Sequence, residues 1–426
     1  AFIPVRGGSK GIVKKNQADL GGHPLLAWSI KIAQAAANID EVVVSTEDKQ
    51  LADIAKKYGA IVEDRSPELA TDNVFKIDVV RHAVNELKQK PSLIISLQPN
   101  SPDILSSDLD RGIEKLINLK TLRFLSKSIS SKQYNSLSDL VNLESLDLSG
   151  NANFKNTKSL TNLNFIKDLN LSECQFIKHV DGLKNMINLK NLNLDGCGRL
   201  ENVDGLYNLT LLEEIDLNYC IDLININGLS NSKNLKKIRI NSDTTRSGSH
   251  YPKLTDINTL KNCTSLEDVE LKKCHTVVDF SPLSSLKNLK KLTLWGCIYQ
   301  DSIANLDFLK SLKNIVDLYI YSYEKPIKDL TLISGLTNLQ KLNLSGWKNL
   351  QSIDGIEKCI ELEHLNLSGA ISLKHINPII NFNKLSYLSV QNTSLFPDTG
   401  KYGEKYASEM LKLEIDEYKD RIKKTK

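Results

Sequence analysis

A chain of 426 residues is longer than one hydrophobic core usually organises, so at least two structural units are expected. With 41% hydrophobic and 25% charged residues, and no run near the roughly 18 apolar residues of a membrane helix, the composition is that of ordinary soluble globular material, with no membrane partner. The 55 basic residues against 51 acidic ones leave a formal charge of +4, scattered along the chain, which excludes the basic stripe of a nucleic-acid binder. No charged segment followed by an apolar one opens the chain, so the expected location is cytoplasmic.

Short apolar runs predict strands at 1–5, 41–45, 60–63 and 93–97. Between them, 24–37, 48–58 and 72–88 carry helical spacing, and the resulting βαβαβαβ order predicts a parallel sheet. An amphipathic stretch at 108–116 leads out of this region. The loop after the first strand runs Arg6-Gly7-Gly8-Ser9-Lys10-Gly11-Ile12-Val13-Lys14-Lys15-Asn16. Its glycines let backbone amides approach an anion closely, and Arg6, Lys10 and Lys15 add the positive charge that a triphosphate requires. A Walker motif is absent.

The strings RGGSKGIVKKN, DLGGHPLLAWSI, VVVSTEDKQLADIAKKYGA, RSPELATDN and SLQPNSP, in this order, resemble the N-terminal half of the acylneuraminate cytidylyltransferases, the CMP-N-acetylneuraminate synthetase family. The resemblance covers residues 1–116 and implies a truncated Rossmann-like α/β lobe. The family uses CTP to activate sialic and related nonulosonic acids, releasing pyrophosphate. By resemblance Arg6, Lys10, Lys15 and Asn16 would hold the triphosphate, with Gly8 and Ser9 in the same loop. Arg65 and Gln98 would contact the nucleotide, with Ser101 close by.

There are departures from the family pattern. Val74, Phe75 and Lys76 stand where small residues are usual and would crowd or recharge the nucleotide pocket, while Asp103 and Ile104 replace a leucine and an arginine. The resemblance ends before the half that carries the family's paired magnesium-binding aspartates and its sugar-acid site. Mg2+ is therefore expected as a cofactor only if the nucleotide site is active. Asp103, Asp108 and Asp110 are explained more simply by helix capping and surface roles than by a metal. Three functions follow: a CTP-binding lobe on a recognition protein, an active cytidylyltransferase whose missing half is supplied elsewhere, or a scaffold with a vestigial lobe.

From Leu119 onward the pattern L-x-x-L-x-L recurs twelve times, with first positions Leu119, Leu143, Ile166, Leu189, Leu212, Leu235, Leu266, Leu289, Ile315, Leu339, Leu362 and Leu385. Asn151, Cys174, Cys197, Cys220, Cys274 and Cys297 each follow the last leucine of a motif by three residues. This resembles the leucine-rich repeat. Each unit contributes one short strand whose leucines can be buried only by stacked neighbours. The Asn or Cys turns inward and satisfies backbone groups of the adjoining coil, so reduced thiols are expected instead of bridges. Cys263 and Cys359 have the spacing of packing residues on the returning side.

Residues at offsets two, four and six from the first leucine should face outward along the concave surface. The early units offer an acidic and amide-rich strip, from Ser145 to Asp216. The middle units offer Lys237, Arg239, Glu270, Lys291, Trp295, Tyr319 and Tyr321, the candidate surface for a protein or glycan ligand. Cross-strand pairing of the aromatics, with no partner, is the alternative. About eight extra polar residues within 241–252, in a 31-residue step where 23 is usual, should project beside this patch. At 396–426, residues Tyr402, Tyr406, Met410, Leu413 and Tyr418 recur at helical spacing and predict a C-terminal helical cap. The expected domains are 1–116, 117–395 and 396–426.

Overall fold

The computed structural model describes residues 1–8, 12–71, 74, 76–86, 91, 93–99, 102–124, 133–242, 251–297, 306–321, 327–395 and 420. The chain separates into two compact units, Ala1–Leu119 and Lys120–Lys426. The expected C-terminal cap, including Tyr402 to Tyr418, lies outside the described residues, as does most of the insertion.

In the first unit β1 (Phe2–Pro4) is followed by a two-residue ribbon of β2 (Asp19–Leu20) and β3 (His23–Pro24), then α1 (Leu25–Ala35). Next come β4 (Val43–Thr46), α2 (Lys49–Lys57), β5 (Ile61–Asp64), α3 (Lys76–Glu86) and α4 (Ser106–Ile117). β4 pairs in parallel with both β1 and β5. On its other side β1 takes the 95–97 segment, with Phe2 N–H donating to the Ile95 carbonyl at 2.8 Å and Leu97 N–H to the Phe2 carbonyl at 2.9 Å. The expected fourth strand is thus present as a short parallel bridge.

Alternation along β1 decides which helix covers which face. Ile3 and Val5 point into one core with Leu26, Ile30, Val44 and Leu51, under α1 and α2. Phe2 points the other way, against Val79 and Ala83 of α3. The helices change face because strand order reverses at β1: two crossovers run out to β5 and the third returns to the other side of β1, and a constant hand of connection then puts its helix on the opposite face. Val74, expected to crowd the nucleotide pocket, instead packs against the α3-side cluster.

The second unit is one parallel sheet of twelve described strands in sequence order. They are β6 (Thr121–Arg123), β7 (Ser145–Asp147), β8 (Asp168–Asn170), β9 (Asn191–Asn193), β10 (Glu214–Asp216), β11 (Lys237–Asn241), β12 (Asp268–Lys272), β13 (Lys291–Trp295), β14 (Asp317–Tyr321), β15 (Lys341–Asn343), β16 (His364–Asn366) and β17 (Tyr387–Ser389). Repeat leucines such as Leu143, Leu189, Leu266 and Leu362 are fully buried between neighbouring coils.

Between β7 and β16 strand length follows one position. In β7, β8, β9, β10, β15 and β16 the offset-four residue is Asp or Asn, and its side-chain oxygen accepts the N–H two residues on, as at Asp147 to Ser149 (2.9 Å) and Asn343 to Ser345 (3.0 Å). That local turn ends each of these strands after three residues. Arg239, Glu270, Thr293 and Tyr319 hold the position in β11 to β14, and these strands run on to five residues.

The inward ladder is built as expected. Cys174, Cys197 and Cys220 each donate a thiol hydrogen bond at 3.3 Å to a carbonyl of the preceding repeat, and Cys297 does so at 3.1 Å. Trp347 occupies the same position later in the stack, its indole N–H donating to the Ile320 carbonyl at 2.8 Å. All seven cysteines are buried and unbridged. Burial pushes the Cys174 and Cys263 thiols up to about 12 and Cys359 up to about 11. Because these values are raised on folding, the thiols' contribution to stability is complete below their ordinary range near 9 and is lost as pH rises through 11 to 12. A disulfide-exchange reagent at pH 8 should label none of the seven thiols in the native protein and all seven in denaturant; rapid native labelling would contradict their buried placement.

Candidate functional site

In an open parallel sheet the crevice for a ligand lies beyond the carboxyl ends of the strands, where strand order reverses. Here that point lies between β1 and the 95–97 segment, and the next residues on the two sides are Arg6-Gly7-Gly8 and Gln98-Pro99. Two distant stretches of sequence therefore meet at one strand edge. Gly7 tolerates no side chain, since a Cβ there would lie 2.2 Å from Asp48 Oδ2. Asp48 is fixed in turn by capping α2 through Leu51 N–H at 3.0 Å. Gly8, by contrast, is exposed with open space above it.

Asn16 is buried, and its Nδ2 donates to the Arg6 carbonyl at 3.2 Å, tying the far end of the loop to its start. Lys15 is half-buried in a 3-10 turn, Lys15–Gln17, next to it. Gln98 is exposed, and its carbonyl accepts the Ser29 hydroxyl of α1 at 3.4 Å. Ser9, Lys10 and Ser101 lie outside the described residues.

Arg65 differs from expectation. Only 5% exposed, its guanidinium donates to the Val5 carbonyl at 2.6 Å and pairs with Glu47, whose other oxygen accepts Gly7 N–H at 2.9 Å. It braces the base of the loop from inside.

The described residues contain no group of three or more His, Cys, Asp or Glu side chains placed to hold a metal. Asp108 accepts Leu105 N–H at 3.1 Å and pairs with Arg111, and both hold its carboxyl below the usual range, the backbone bond more strongly. Asp110 accepts the Ala37 and Asn38 N–H groups at 3.0 and 2.8 Å, which lower it likewise. Both are thus engaged in holding backbone.

In the repeat unit, Lys237, Arg239, Glu270, Lys291, Trp295, Tyr319 and Tyr321 all lie half-buried on the sheet's open face, as their spacing predicts. Lys237 pairs with Asp268 at 3.5 Å, and Arg239 lies 3.6 Å from Asp216 and 3.8 Å from Glu270. Glu270 also pairs with Lys272. Trp295 and Tyr321 are register partners with ring centroids 5.9 Å apart. Burial raises the Tyr319 phenol, a shift that a hydrogen bond to Ser345 opposes. Thr293, between Glu270 and Tyr319 in register, is covered instead of outward-facing in effect, because both neighbours are larger. The early strip forms a polar groove of about 360 Å3 lined by residues from Ser145 to Arg239.

A family model described as Cytidylyltransferase matches residues 1–202. N-acylneuraminate cytidylyltransferase from Escherichia coli is 39% identical over 102 residues, 24% of this chain and 24% of that protein. CMP-N,N'-diacetyllegionaminic acid synthase from Legionella pneumophila is 42% identical over 106 residues, 24% of this chain and 46% of that one. The chain joins an N-terminal cytidylyltransferase region to a leucine-rich-repeat region.

These relatives are matched over about a quarter to a half of their own length. Beyond residue 119 the family match runs into β6 to β9, which are repeat strands. Of the repeat region's structural neighbours, an internalin from Listeria monocytogenes has a TM-score of 0.45 at 21% identity, over 66% of this chain and 89% of its own. Among the described residues no helix is long and apolar enough to cross a membrane.

Proposed function

We propose that the cytidylyltransferase region binds CTP or a related nucleotide at the strand-order reversal, and that the repeat region carries a partner-binding surface on its open sheet face. The observation that carries the nucleotide reading is the meeting of Arg6-Gly7-Gly8 with Gln98-Pro99 at the carboxyl ends of two adjacent strands. Open backbone space at Gly8 suits a phosphate, and Arg6, Lys10 and Lys15 would supply its charge. Asn16 fixes the loop through the Arg6 carbonyl, and Arg65 does so through Val5.

We assign this region binding without turnover. Phosphoryl chemistry of this kind needs carboxylates that neutralise charge through a metal; Asp108 and Asp110 are engaged in holding backbone, and the described residues contain no cluster of three metal-ligating side chains. The residues present therefore do not fit a protein-held magnesium site. Seven buried thiols favour a reducing compartment such as the cytoplasm.

Calorimetric titration with CTP and magnesium should give saturable heat, and Arg6→Ala should weaken binding about tenfold or more through loss of a charge-assisted contact. No heat at millimolar CTP would overturn the nucleotide reading. In a pyrophosphate-release assay with CTP and sialic acid, the chain alone should show no turnover, and sustained release would overturn the assignment of binding alone.

A further inference from the structure

One backbone position in the repeats explains why the aromatic patch has a charged rim. After nine of the described strands the residue preceding the inward ladder position turns left-handed, and its N–H can still reach a carbonyl of the next repeat, as from Lys273 to Trp295 at 2.7 Å. Gly150, Gly196, Gly296, Gly346 and Gly369 fill it where a side chain would be strained. Glu173, Tyr219, Lys273 and Asn392 fill it with φ of 59°, 54°, 59° and 54°. Lysine has no local hydrogen bond to favour this conformation, so at 273, as at Glu173 and Tyr219, the repeat turn holds it there at a cost in strain.

What the strain does is visible at Lys273. Its stem lies along Gly296, whose Cβ position is 3.5 Å from its Cδ, an ordinary contact distance, and Gly296 itself is left-handed with φ of 62°. The ammonium then sits 4.7 Å from the Trp295 ring centre and 5.8 Å from that of Tyr251. Tyr251 packs edge-on against His275 at 4.2 Å, and Trp295 leans on Tyr321. Lys272, the register neighbour of Trp295, is neutralised by Glu270, whereas Lys273 has no carboxylate partner among the described residues.

We propose that the rim of Tyr251, Lys273, His275, Trp295 and Tyr321 docks an acidic segment of a partner protein, with a carboxylate on the Lys273 ammonium and an aromatic or aliphatic side chain among the rings. This rests on the reading of the open face as partner-binding and names both its centre and its ligand chemistry. Charge complementarity selects an anion. The rings meet at 87° and 43°, so they form side-chain-sized steps and not the flat floor on which a sugar ring stacks.

The test uses the full chain and an immobilised glutamate-tyrosine copolymer, with polygalacturonate as an anionic polysaccharide. Wild type should bind the copolymer and not the polysaccharide. Trp295→Ala should weaken binding about tenfold or more. Lys273→Gly should weaken it about fivefold through loss of the ammonium and its cation–π contacts. Because Lys273→Gly also removes backbone strain, its melting temperature should match or exceed that of wild type, which separates a binding role from a structural one. Failure to bind the copolymer, or preference for the polysaccharide, overturns the proposal. If Arg239→Ala weakens copolymer binding while Lys273→Gly and Trp295→Ala do not, the rim assignment falls and the open-face reading stands. If none of the three matters, both fall.

Discussion

Leu292→Ala is expected to lower the unfolding free energy by about 2 to 5 kcal/mol, whereas Trp295→Ala on the same strand should cost about 1 kcal/mol or less. Leu292 is fully buried between Val269 and Leu318 in register, so truncation leaves a cavity that stacked coils on both sides cannot close. Trp295 lies half-buried on the open face and loses only its ring contact with Tyr321 and the Lys273 ammonium. Denaturant titration of both variants checks the contrast. Should Trp295→Ala unfold the repeats as readily as Leu292→Ala, the indole belongs to the core and the assignment of faces fails.

Gly228→Ala should destabilise by about 3 kcal/mol, the upper end for overpacking, despite adding one methyl group. A Cβ at Gly228 would lie 1.8 Å from the Val203 carbonyl oxygen of the preceding coil, and the obstacle is backbone, which cannot swing aside. Gly182 and Gly205 stand at the same place in earlier repeats, with 1.9 Å to the Thr157 carbonyl and 2.3 Å to that of Val180. In these three repeats the coils stack too closely at this corner for a side chain, whereas Thr259 and Pro282 occupy the corresponding place in the next two. Thermal denaturation of Gly228→Ala beside Gly8→Ala, which has open space, gives the comparison. Equal melting temperatures would mean that the coils are not in contact there.

The repeats were legible because a leucine that must be buried every 23 residues or so imposes a spacing that nothing else in a sequence mimics. The same spacing located the open face and the cysteine ladder. It did not reveal Trp347 in that ladder, since a ring reaching a carbonyl 27 residues back leaves no trace in a pattern of Asn and Cys. The change from three-residue to five-residue strands was visible, as Asp and Asn at offset four giving way to Arg239, Glu270, Thr293 and Tyr319, but it becomes meaningful only once the side-chain-to-backbone turn is seen. Nor could periodicity show that Lys273 is left-handed.

In the first unit, strand and helix order followed from apolar runs, and so did the parallel sheet. Arg65 shows the limit. Resemblance placed it on the nucleotide, yet its guanidinium faces the Val5 carbonyl and Glu47 beneath the loop, because a motif carries residue types and not the direction in which they point.

Hydrogen exchange of the full chain with and without CTP tests the central claim most directly. Added protection is expected to be confined to the segments at 5–16 and 96–99, where Gly7, Gly8 and Gln98 meet at the strand-order reversal, with the repeat strands unchanged. Protection appearing only in the repeats, or nowhere at saturating CTP, would contradict it.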